Sequence, residues 1–195
     1  MKCAVIGVGN MGKNHLRTLS EIDEVKLVGI ADLNEKLGQD LADKFSCKYY
    51  SDYKRLIEVE KPEIVSICVP TSLHHKVGLY CIGQGINVLL EKPISIEIEH
   101  GEELINASKK KGVKLLVGHI ERFNPVVQKT KKLIQKGELG QITSITARRV
   151  GGFPPQIKDA NIAVDLAIHD IDIINYLLDS LPDQIYSNKQ KHHIE

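Results

Sequence analysis

The stretch KCAVIGVGNMG, residues 2–12, decides the fold of this chain. It joins an apolar run of strand type to Gly7, Gly9 and Gly12 at the spacing GxGxxG, and a helical pattern follows over residues 10–20. In such a unit the first glycine permits a tight turn, the second lets backbone approach a pyrophosphate, and the third lets helix and strand pack closely. The free amides at the start of the helix then face the phosphates. This stretch predicts a dinucleotide-binding turn.

An acidic residue follows the second apolar run, residues 25–31. Asp32 lies twenty positions beyond Gly12. A carboxylate there accepts hydrogen bonds from both ribose hydroxyls of NAD and repels the 2′-phosphate of NADP. The sequence therefore favours NAD over NADP as the cofactor. The alternatives are a chance glycine-rich turn, or a related fold that binds another nucleotide such as an S-adenosyl compound.

Strand-like runs alternate with helical patterns through the first 120 residues. Strands are predicted over residues 2–7, 25–31, 48–50, 63–69, 86–90 and 114–118. Helices are predicted over residues 10–20, 34–45, 53–58, 73–83 and 96–111, with Asn34 and Ser95 as N-caps. This alternation predicts an α/β fold class in which residues 1–120 form a Rossmann domain with a doubly wound, mostly parallel sheet.

The pattern changes after residue 120. A predicted helix over residues 125–136 is followed by period-two alternation over residues 141–150, which indicates an antiparallel strand with one solvated face. A further helix is predicted over residues 162–178, and the start of another strand over residues 183–188. Residues 121–195 are therefore expected to form a partial α+β domain for substrate binding and oligomerisation, with an incomplete, mostly antiparallel sheet.

Composition excludes several classes of function. The 26 Lys and Arg residues nearly balance the 25 Asp and Glu residues, and a net charge of +1 argues against nucleic acid or an anionic membrane as a partner. No apolar run approaches the ~20 residues of a membrane-spanning helix. The four cysteines lack C-x-x-C spacing, which argues against a zinc site and a disulfide framework. We therefore expect a cytoplasmic protein without a bound metal.

Two positions outside the glycine turn carry groups suited to proton chemistry. Lys92 closes the fifth apolar run, and ligands bind at strand ends along one edge of an open α/β sheet. Asp165 and His169 are four residues apart, so they share a helix face, where an acid holds the tautomer of an imidazole. On this spacing alone, a purely structural pair is the alternative. Adjacent His74 and His75 point about 100° apart on a helix, which predicts solvated or capping roles rather than metal binding.

Three motifs taken together resemble the Gfo/Idh/MocA oxidoreductase family: Gly7-x-Gly9-x-x-Gly12, Glu91-Lys92-Pro93 and Asp165-x-x-x-His169-Asp170. The resemblance covers essentially the whole chain and implies NAD(P)-dependent oxidation or reduction of a sugar-type secondary alcohol. Residues 118–125 and 164–172 look like the narrower branch that acts on UDP-linked amino sugars, such as the UDP-N-acetylglucosamine 3-dehydrogenases. Pro93 falls where the family places a proline, often with strained or cis backbone.

The resemblance also implies residue roles. His169 is the expected base, Lys92 stabilises the alkoxide, and Asp165 orients the imidazole. The implied cofactor site comprises Gly7, Gly9, Asn10, Met11, Gly12, Asp32, Pro70, Thr71, His74, Glu91, Lys92, Pro93 and Arg122. The implied substrate site comprises Lys92, Arg122, Asn124, Asp165 and His169. For Arg122 a structural ion pair competes with a contact to the carboxamide or diphosphate, and for Thr71 a helix cap competes with a contact to the nicotinamide ribose.

The second domain of the family is longer than residues 121–195. Its open, largely antiparallel sheet forms the substrate wall and commonly the dimer interface. We therefore expect a C-terminally truncated or frameshifted reading frame, one half of a split enzyme, or a short product stabilised by oligomerisation. The expected partners are a sugar or nucleotide sugar, and a second copy of the chain or a complementing C-terminal fragment. The competing functions are an NAD-binding module without turnover and a relative that reduces a non-sugar carbonyl or imine.

Overall fold

The computed structural model describes residues 1–149 and 166–188 of the chain. The described residues form two compact units, residues 1–119 and residues 120–149 with 166–188. Within these ranges, no helix has the length and apolar character needed to cross a membrane.

The first unit is a parallel sheet with a helix between every two successive strands. The strands are β1 (Lys2–Ile6), β2 (Lys26–Ala31), β3 (Lys48–Tyr50), β4 (Ile64–Ile67), β5 (Asn87–Leu90) and β6 (Leu115–Val117). The helices are α1 (Asn10–Ser20), α2 (Glu35–Lys44), α3 (Tyr53–Glu60), α4 (Thr71–Gly83) and α5 (Ile98–Lys111). The strand order is β3-β2-β1-β4-β5-β6, with all neighbours parallel, which confirms the predicted Rossmann sheet. The order reverses between β1 and β4, where such folds bind ligands.

The core of the first unit lies on both faces of the sheet, because helices cover both faces of a parallel sheet. On β1, Ala4 and Ile6 belong to one buried cluster together with residues of β4 and β5. Val5 points to the opposite face and packs with Leu16 of α1 and Ile30 of β2 in a second cluster. Because strand side chains alternate between faces, this central strand anchors both layers and fixes the turn that follows it.

Of the two N-caps predicted from the sequence, one is confirmed by the structure and the other is wrong. Asn34 caps α2 as predicted, since its side chain accepts a hydrogen bond from the amide of Leu37 at 3.1 Å. The prediction of Ser95 as the cap of α5 is wrong, because the helix begins only at Ile98, after Glu97. The Ser95 hydroxyl donates instead to the carbonyl of Glu97 at 2.7 Å, within the segment that precedes the helix.

The second unit is helical in its described part. A 3-10 helix over Ile120–Phe123 leads into α6 (Pro125–Gln135), and α7 spans Ile168–Leu178. Residues 141–149 and 181–188 are described and contain no strand, so the strands predicted there are wrong for these residues. A strand is completed by hydrogen bonds to a neighbouring strand, and the described part of this unit offers none.

A buried lysine joins the two long helices of the second unit. The ammonium of Lys131 on α6 donates to the carbonyls of Tyr176 and Leu177 at 2.6 and 3.1 Å, and it pairs with Asp179 at 2.5 Å. A cation suits the carboxyl end of α7, where carbonyls lack helical partners and the helix dipole is negative. Lys131 therefore satisfies the end of α7 and ties it to α6.

Candidate functional site

Two glycines of the turn after β1 are required by close packing. Gly7 has φ of +86°, and a Cβ there would lie 2.7 Å from the carbonyl carbon of Cys68. A Cβ on Gly12 would lie 2.0 Å from the carbonyl oxygen of Gly7. In both cases the obstacle is backbone, which cannot move aside as a flexible side chain would. The turn is thus pressed against the end of β4 and the start of α1.

The middle glycine leaves open space instead. A Cβ on Gly9 would meet no described atom within 4 Å. Gly9 is the N-cap of α1 and has no side chain with which to cap the first amides of the helix, and the first turn contains no acidic residue. The start of a helix carries unsatisfied N–H groups and partial positive charge, so an anion seated over Gly9 would find donors there. This arrangement fits a pyrophosphate.

Asp32 lies beside the glycine turn, at the end of β2. Its Oδ2 accepts a hydrogen bond from the amide of Val8 at 2.7 Å, and its Oδ1 accepts one from the amide of Asn34 at 2.8 Å. Each carboxylate oxygen has a second lone pair, so both are still able to accept ribose hydroxyls. The negative charge would oppose a 2′-phosphate at the same place. The position of Asp32 therefore fits NAD.

A cavity of about 680 Å³ opens at this edge of the sheet, a volume typical of small-molecule sites. Its wall includes six of the residues predicted to bind cofactor: Gly7, Gly9, Asn10, Met11, Asp32 and Pro70. Sequence reasoning missed Ser51 and Tyr53, which follow β3, and Lys76 on α4, all of which line the same cavity. The available signal for Ser51 and Tyr53 was their place after the third strand, since parallel strands end at one common edge.

His74 is buried rather than solvated. Only 1% of its surface is exposed, and its Nδ1 and Nε2 lie 2.8 and 3.0 Å from the carbonyl oxygens of Pro93 and Val69. The prediction of a solvated or capping role is wrong, because His74 shares with Val77, Gly78 and Cys81 the buried stripe of α4. His74 is absent from the described wall of the cavity and ties the turn after β4 to the loop after β5.

The loop after β5 carries Lys92. The Lys92–Pro93 peptide bond is cis, as the family resemblance led us to expect. Glu91 is 6% exposed, and its Oε2 accepts a hydrogen bond from the amide of Lys92 at 3.2 Å. Gly118, directly after β6, packs on this carboxylate, since a Cβ there would lie 3.1 Å from Oε1. Lys92 thus follows β5 at the same edge of the sheet at which the turns after β1 and β4 lie.

Glu91 has a second partner in His15 on α1. The Nε2 of His15 lies 2.8 Å from Oε1 of Glu91, and its Nδ1 lies 2.7 Å from the hydroxyl of Ser66. Hydrogen bonding to the side chains of Cys68 and Glu91 raises the pKa of His15 to about 10, although partial burial acts in the opposite direction. This shift favours the protonated form of His15, which makes its contact with Glu91 an ion pair.

Arg122 in the second unit forms a bidentate ion pair. Its Nε and Nη2 donate to the two carboxylate oxygens of Asp172 at 2.8 and 2.5 Å, and its guanidinium lies 5.4 Å from the ring centre of Tyr176. Hydrogen bonding to Asp172 raises the pKa of Arg122. This geometry favours the structural ion pair that the sequence left open for Arg122. Its acidic partner, Asp172 of α7, was not identified from the sequence.

The other predicted substrate residues also lie in the second unit or outside the described ranges. Asn124 caps α6, with its side chain accepting a hydrogen bond from the amide of Val126 at 3.0 Å. His169 lies in the first turn of α7, and Asp170 beside it pairs with Arg149, which lowers the pKa of Asp170. Asp165 lies outside the described residues, so its pairing with His169 stays a prediction.

Two sequence profiles match the chain. The profile of an oxidoreductase family with an NAD-binding Rossmann fold matches residues 1–119, and the GFO/IDH/MocA C-terminal domain matches residues 127–195. The first match alone covers more than half of the chain. It confirms NAD as the predicted cofactor.

Curated relatives and solved structures agree with these profiles. The UDP-N-acetylglucosamine 3-dehydrogenase of Acidithiobacillus ferrooxidans is 29% identical over 182 residues, which cover 93% of this chain and 56% of that protein. The myo-inositol 2-dehydrogenase of Thermotoga maritima is 28% identical, covering 96% of this chain and 58% of that protein. A solved structure of the Acidithiobacillus enzyme superposes with a TM-score of 0.84 at 29% identity, over 94% of this chain and 58% of that one. The chain thus spans little more than half the length of the relatives it matches.

Proposed function

The chain belongs to the GFO/IDH/MocA family of oxidoreductases, and from this premise we propose that it binds NAD and interconverts a secondary alcohol and a ketone on a sugar or nucleotide sugar. One observation carries the proposal. The glycine turn and Asp32 line a cavity where the strand order reverses, and Lys92 follows β5, the strand next to β4, at the same edge. Nucleotide-binding groups after β1 and β2 and a cation after β5 therefore share one edge of the sheet, an arrangement suited to hydride transfer between a substrate and a bound nicotinamide.

The residues of the cavity would hold the cofactor by its two polar portions. The amides at the start of α1 would donate to the pyrophosphate over Gly9, and Asp32 would accept hydrogen bonds from the adenosine ribose. The nicotinamide of a bound NAD would supply the hydride acceptor. Asn10, Met11 and Pro70 would border the phosphates and ribose, because they line the same cavity.

The remaining roles concern the substrate oxygen. We assign to His169 the removal of the hydroxyl proton, since imidazole is the side chain that most often acts as a general base. Lys92 would donate a hydrogen bond to the same oxygen and stabilise its developing negative charge. Asp165 would hold the tautomer of His169. Residues 121–195, which contain His169 and Asn124, would contribute part of a substrate and oligomerisation domain.

The proposed substrate is a UDP-linked amino sugar. The residues that favour this class are 118–125, which look like the corresponding segment of the UDP-amino-sugar branch, and a relative named UDP-N-acetylglucosamine 3-dehydrogenase is 29% identical. Inositol is the competing substrate, since another relative is named myo-inositol 2-dehydrogenase. Both compounds carry ring hydroxyls on secondary carbons, so the same base and cation would serve either.

The test combines binding with turnover. Calorimetry measures NAD affinity, and absorbance of NADH measures turnover with UDP-N-acetylglucosamine, myo-inositol and simple sugars. We expect His169→Ala to lower turnover by about 10²-fold or more, the usual contribution of a general base, with NAD affinity nearly unchanged. The matched control is His75→Ala, which removes an imidazole that pairs with Glu103 on the surface of the first unit. Near-normal turnover of His169→Ala would refute the assignment, and NAD binding without turnover on any compound would favour a non-catalytic NAD-binding module.

A further inference from the structure

A polar cluster beneath the ligand edge links α1 to the loop that carries Lys92. His15 of α1 lies between Ser66 of β4, at 2.7 Å from Nδ1, and Glu91, at 2.8 Å from Nε2. The side chains of His15 and Glu91 are only 12% and 8% exposed. The other oxygen of Glu91 accepts the amide of Lys92 at 3.2 Å. Three sequence segments, α1, β4 and the loop after β5, therefore meet at the imidazole of His15.

Stability alone does not account for this cluster. Burying a carboxylate and an imidazole costs desolvation energy that their attraction only partly offsets, and apolar side chains of similar size often fill such positions equally well. A hydrogen-bonded ion pair differs from an apolar contact in having a direction. The ring of His15 is hydrogen-bonded through Nε2 to Glu91 and through Nδ1 to Ser66, so it cannot turn without breaking a bond.

The orientation of the His15–Glu91 pair matters because α1 lies on one side of it and Lys92 on the other. α1 begins at Gly9, where the start of the helix offers its amides to a pyrophosphate, and His15 is in the second turn of this same helix. At the other end, the amide of Lys92 is bonded to the carboxylate that His15 holds. The connection therefore runs from the phosphate-binding helix, through two side chains, to the backbone of the lysine.

We propose that His15 is a positioning residue: through Glu91 it fixes the backbone of Lys92 relative to α1. The inference rests on the proposed function in one respect, namely that Lys92 acts on the substrate oxygen. Displacement of a catalytic group by about 1 Å can reduce the rate about 10²-fold, so a rigid link between cofactor anchor and lysine has a direct consequence for turnover. His15 itself contacts neither cofactor nor substrate in this role.

The first arm of the test is spectroscopic and needs no turnover. Nitrogen-15 NMR of the whole chain at about pH 8, above the ordinary histidine pKa of about 6.5, reports whether His15 carries protons on both ring nitrogens. Hydrogen exchange of the Lys92 amide reports the bond to Glu91. We expect a doubly protonated His15 in the wild type, and about tenfold faster exchange of the Lys92 amide in His15→Gln, with the amides of β1 and β2 unchanged.

Glu91→Gln is the second variant, since it keeps the shape of the side chain but removes the charge that pairs with His15. His75→Gln is the control, because it alters a surface imidazole on α4 and should leave the Lys92 amide unchanged. A wild-type His15 without a proton on Nε2 would overturn the proposal, because Glu91 would then have no donor from α1, and that measurement holds even where a variant fails to fold. Unchanged exchange of the Lys92 amide in folded His15→Gln or Glu91→Gln would also overturn it.

The second arm separates positioning from the proposed function. With a turned-over substrate, His15→Gln is expected to lower kcat about tenfold or more while the Kd for NAD changes less than about twofold. Loss of NAD affinity equal to the loss of kcat would mean that His15 only supports the fold of the nucleotide turn, and it would overturn the proposal. A wild-type chain without turnover would count against the proposed function, while the exchange of the Lys92 amide would still decide the role of His15.

Discussion

Exchanging two glycines of the same turn for alanine should separate cofactor binding from folding. The Cβ of Gly9→Ala enters open space, whereas the Cβ of Gly12→Ala lies 2.0 Å from the carbonyl oxygen of Gly7. The two substitutions add the same single methyl group, three residues apart, with opposite surroundings. Gly9→Ala should therefore weaken NAD binding without lowering stability, and Gly12→Ala should lower stability as well.

The expected changes in stability and in NAD affinity depend on the atoms that each added methyl group would contact. Forcing a methyl against backbone in a packed region costs about 1–3 kcal/mol, which in a chain of this size lowers Tm by roughly 2–12 °C. Gly9 has φ of −64° and ψ of −156°, an extended conformation open to alanine, so its replacement should change stability by less than about 0.5 kcal/mol. A methyl group in the space of the pyrophosphate should weaken NAD binding at least about tenfold, or 1.4 kcal/mol.

Thermal unfolding followed by circular dichroism, and calorimetric titration with NAD at a temperature where all proteins are folded, measure the two effects. Wild-type NAD affinity in Gly9→Ala would show that the pyrophosphate does not approach the start of α1. Wild-type Tm in Gly12→Ala would show that the turn is not pressed against the helix as described. Either result refutes this account of the glycine spacing.

Two further predictions concern charge. Asp32→Asn keeps a hydrogen-bond acceptor but removes the charge that opposes a 2′-phosphate, so calorimetry should find that the ratio of NADP to NAD affinity rises by about tenfold, and an unchanged ratio would exclude Asp32 as the selecting residue. Burial raises the pKa of the Cys3 and Cys81 thiols to about 12, so the unfolded chain loses these protons first and stability falls as pH rises from about 9 to 12. The urea midpoint should therefore decline over this range less steeply in the Cys3→Ala, Cys81→Ala double variant, and equal slopes would contradict the burial effect.

The nucleotide turn was predictable from the sequence because its geometry is local. Strand, glycines and helix are consecutive, so the requirement for a missing Cβ at Gly7 and Gly12 is imposed mainly by neighbouring segments and appears as a fixed spacing. Asn34 is similar, since a helix cap bonds an amide three residues away. Ser95 shows the limit of such signals, because its hydroxyl donates to the carbonyl of Glu97 in the turn before α5 instead of capping the helix.

The strand predicted over residues 141–150 is absent from the described residues 141–149 for a non-local reason. Alternation of apolar and polar residues states which face a strand would bury, but a strand also needs a partner, and the partner is not encoded in the alternation. The partner of Arg122 also depends on residues far away in the sequence. Its sequence context offered a ligand contact or an ion pair, and the choice of Asp172, 50 residues away, depended on the packing of α7.

The sequence by itself determined the βαβ alternation, the glycine turn, the acidic residue after β2 and the position of Lys92 after β5, because each depends on residues close together in the chain. Tertiary structure decided which side chains meet beneath those loops. His74 is buried because its face of α4 packs against the core. His15 contacts Glu91, 76 residues away, because β4 lies between β1 and β5. Strand order, which brings distant segments side by side, is the physical reason for both contacts.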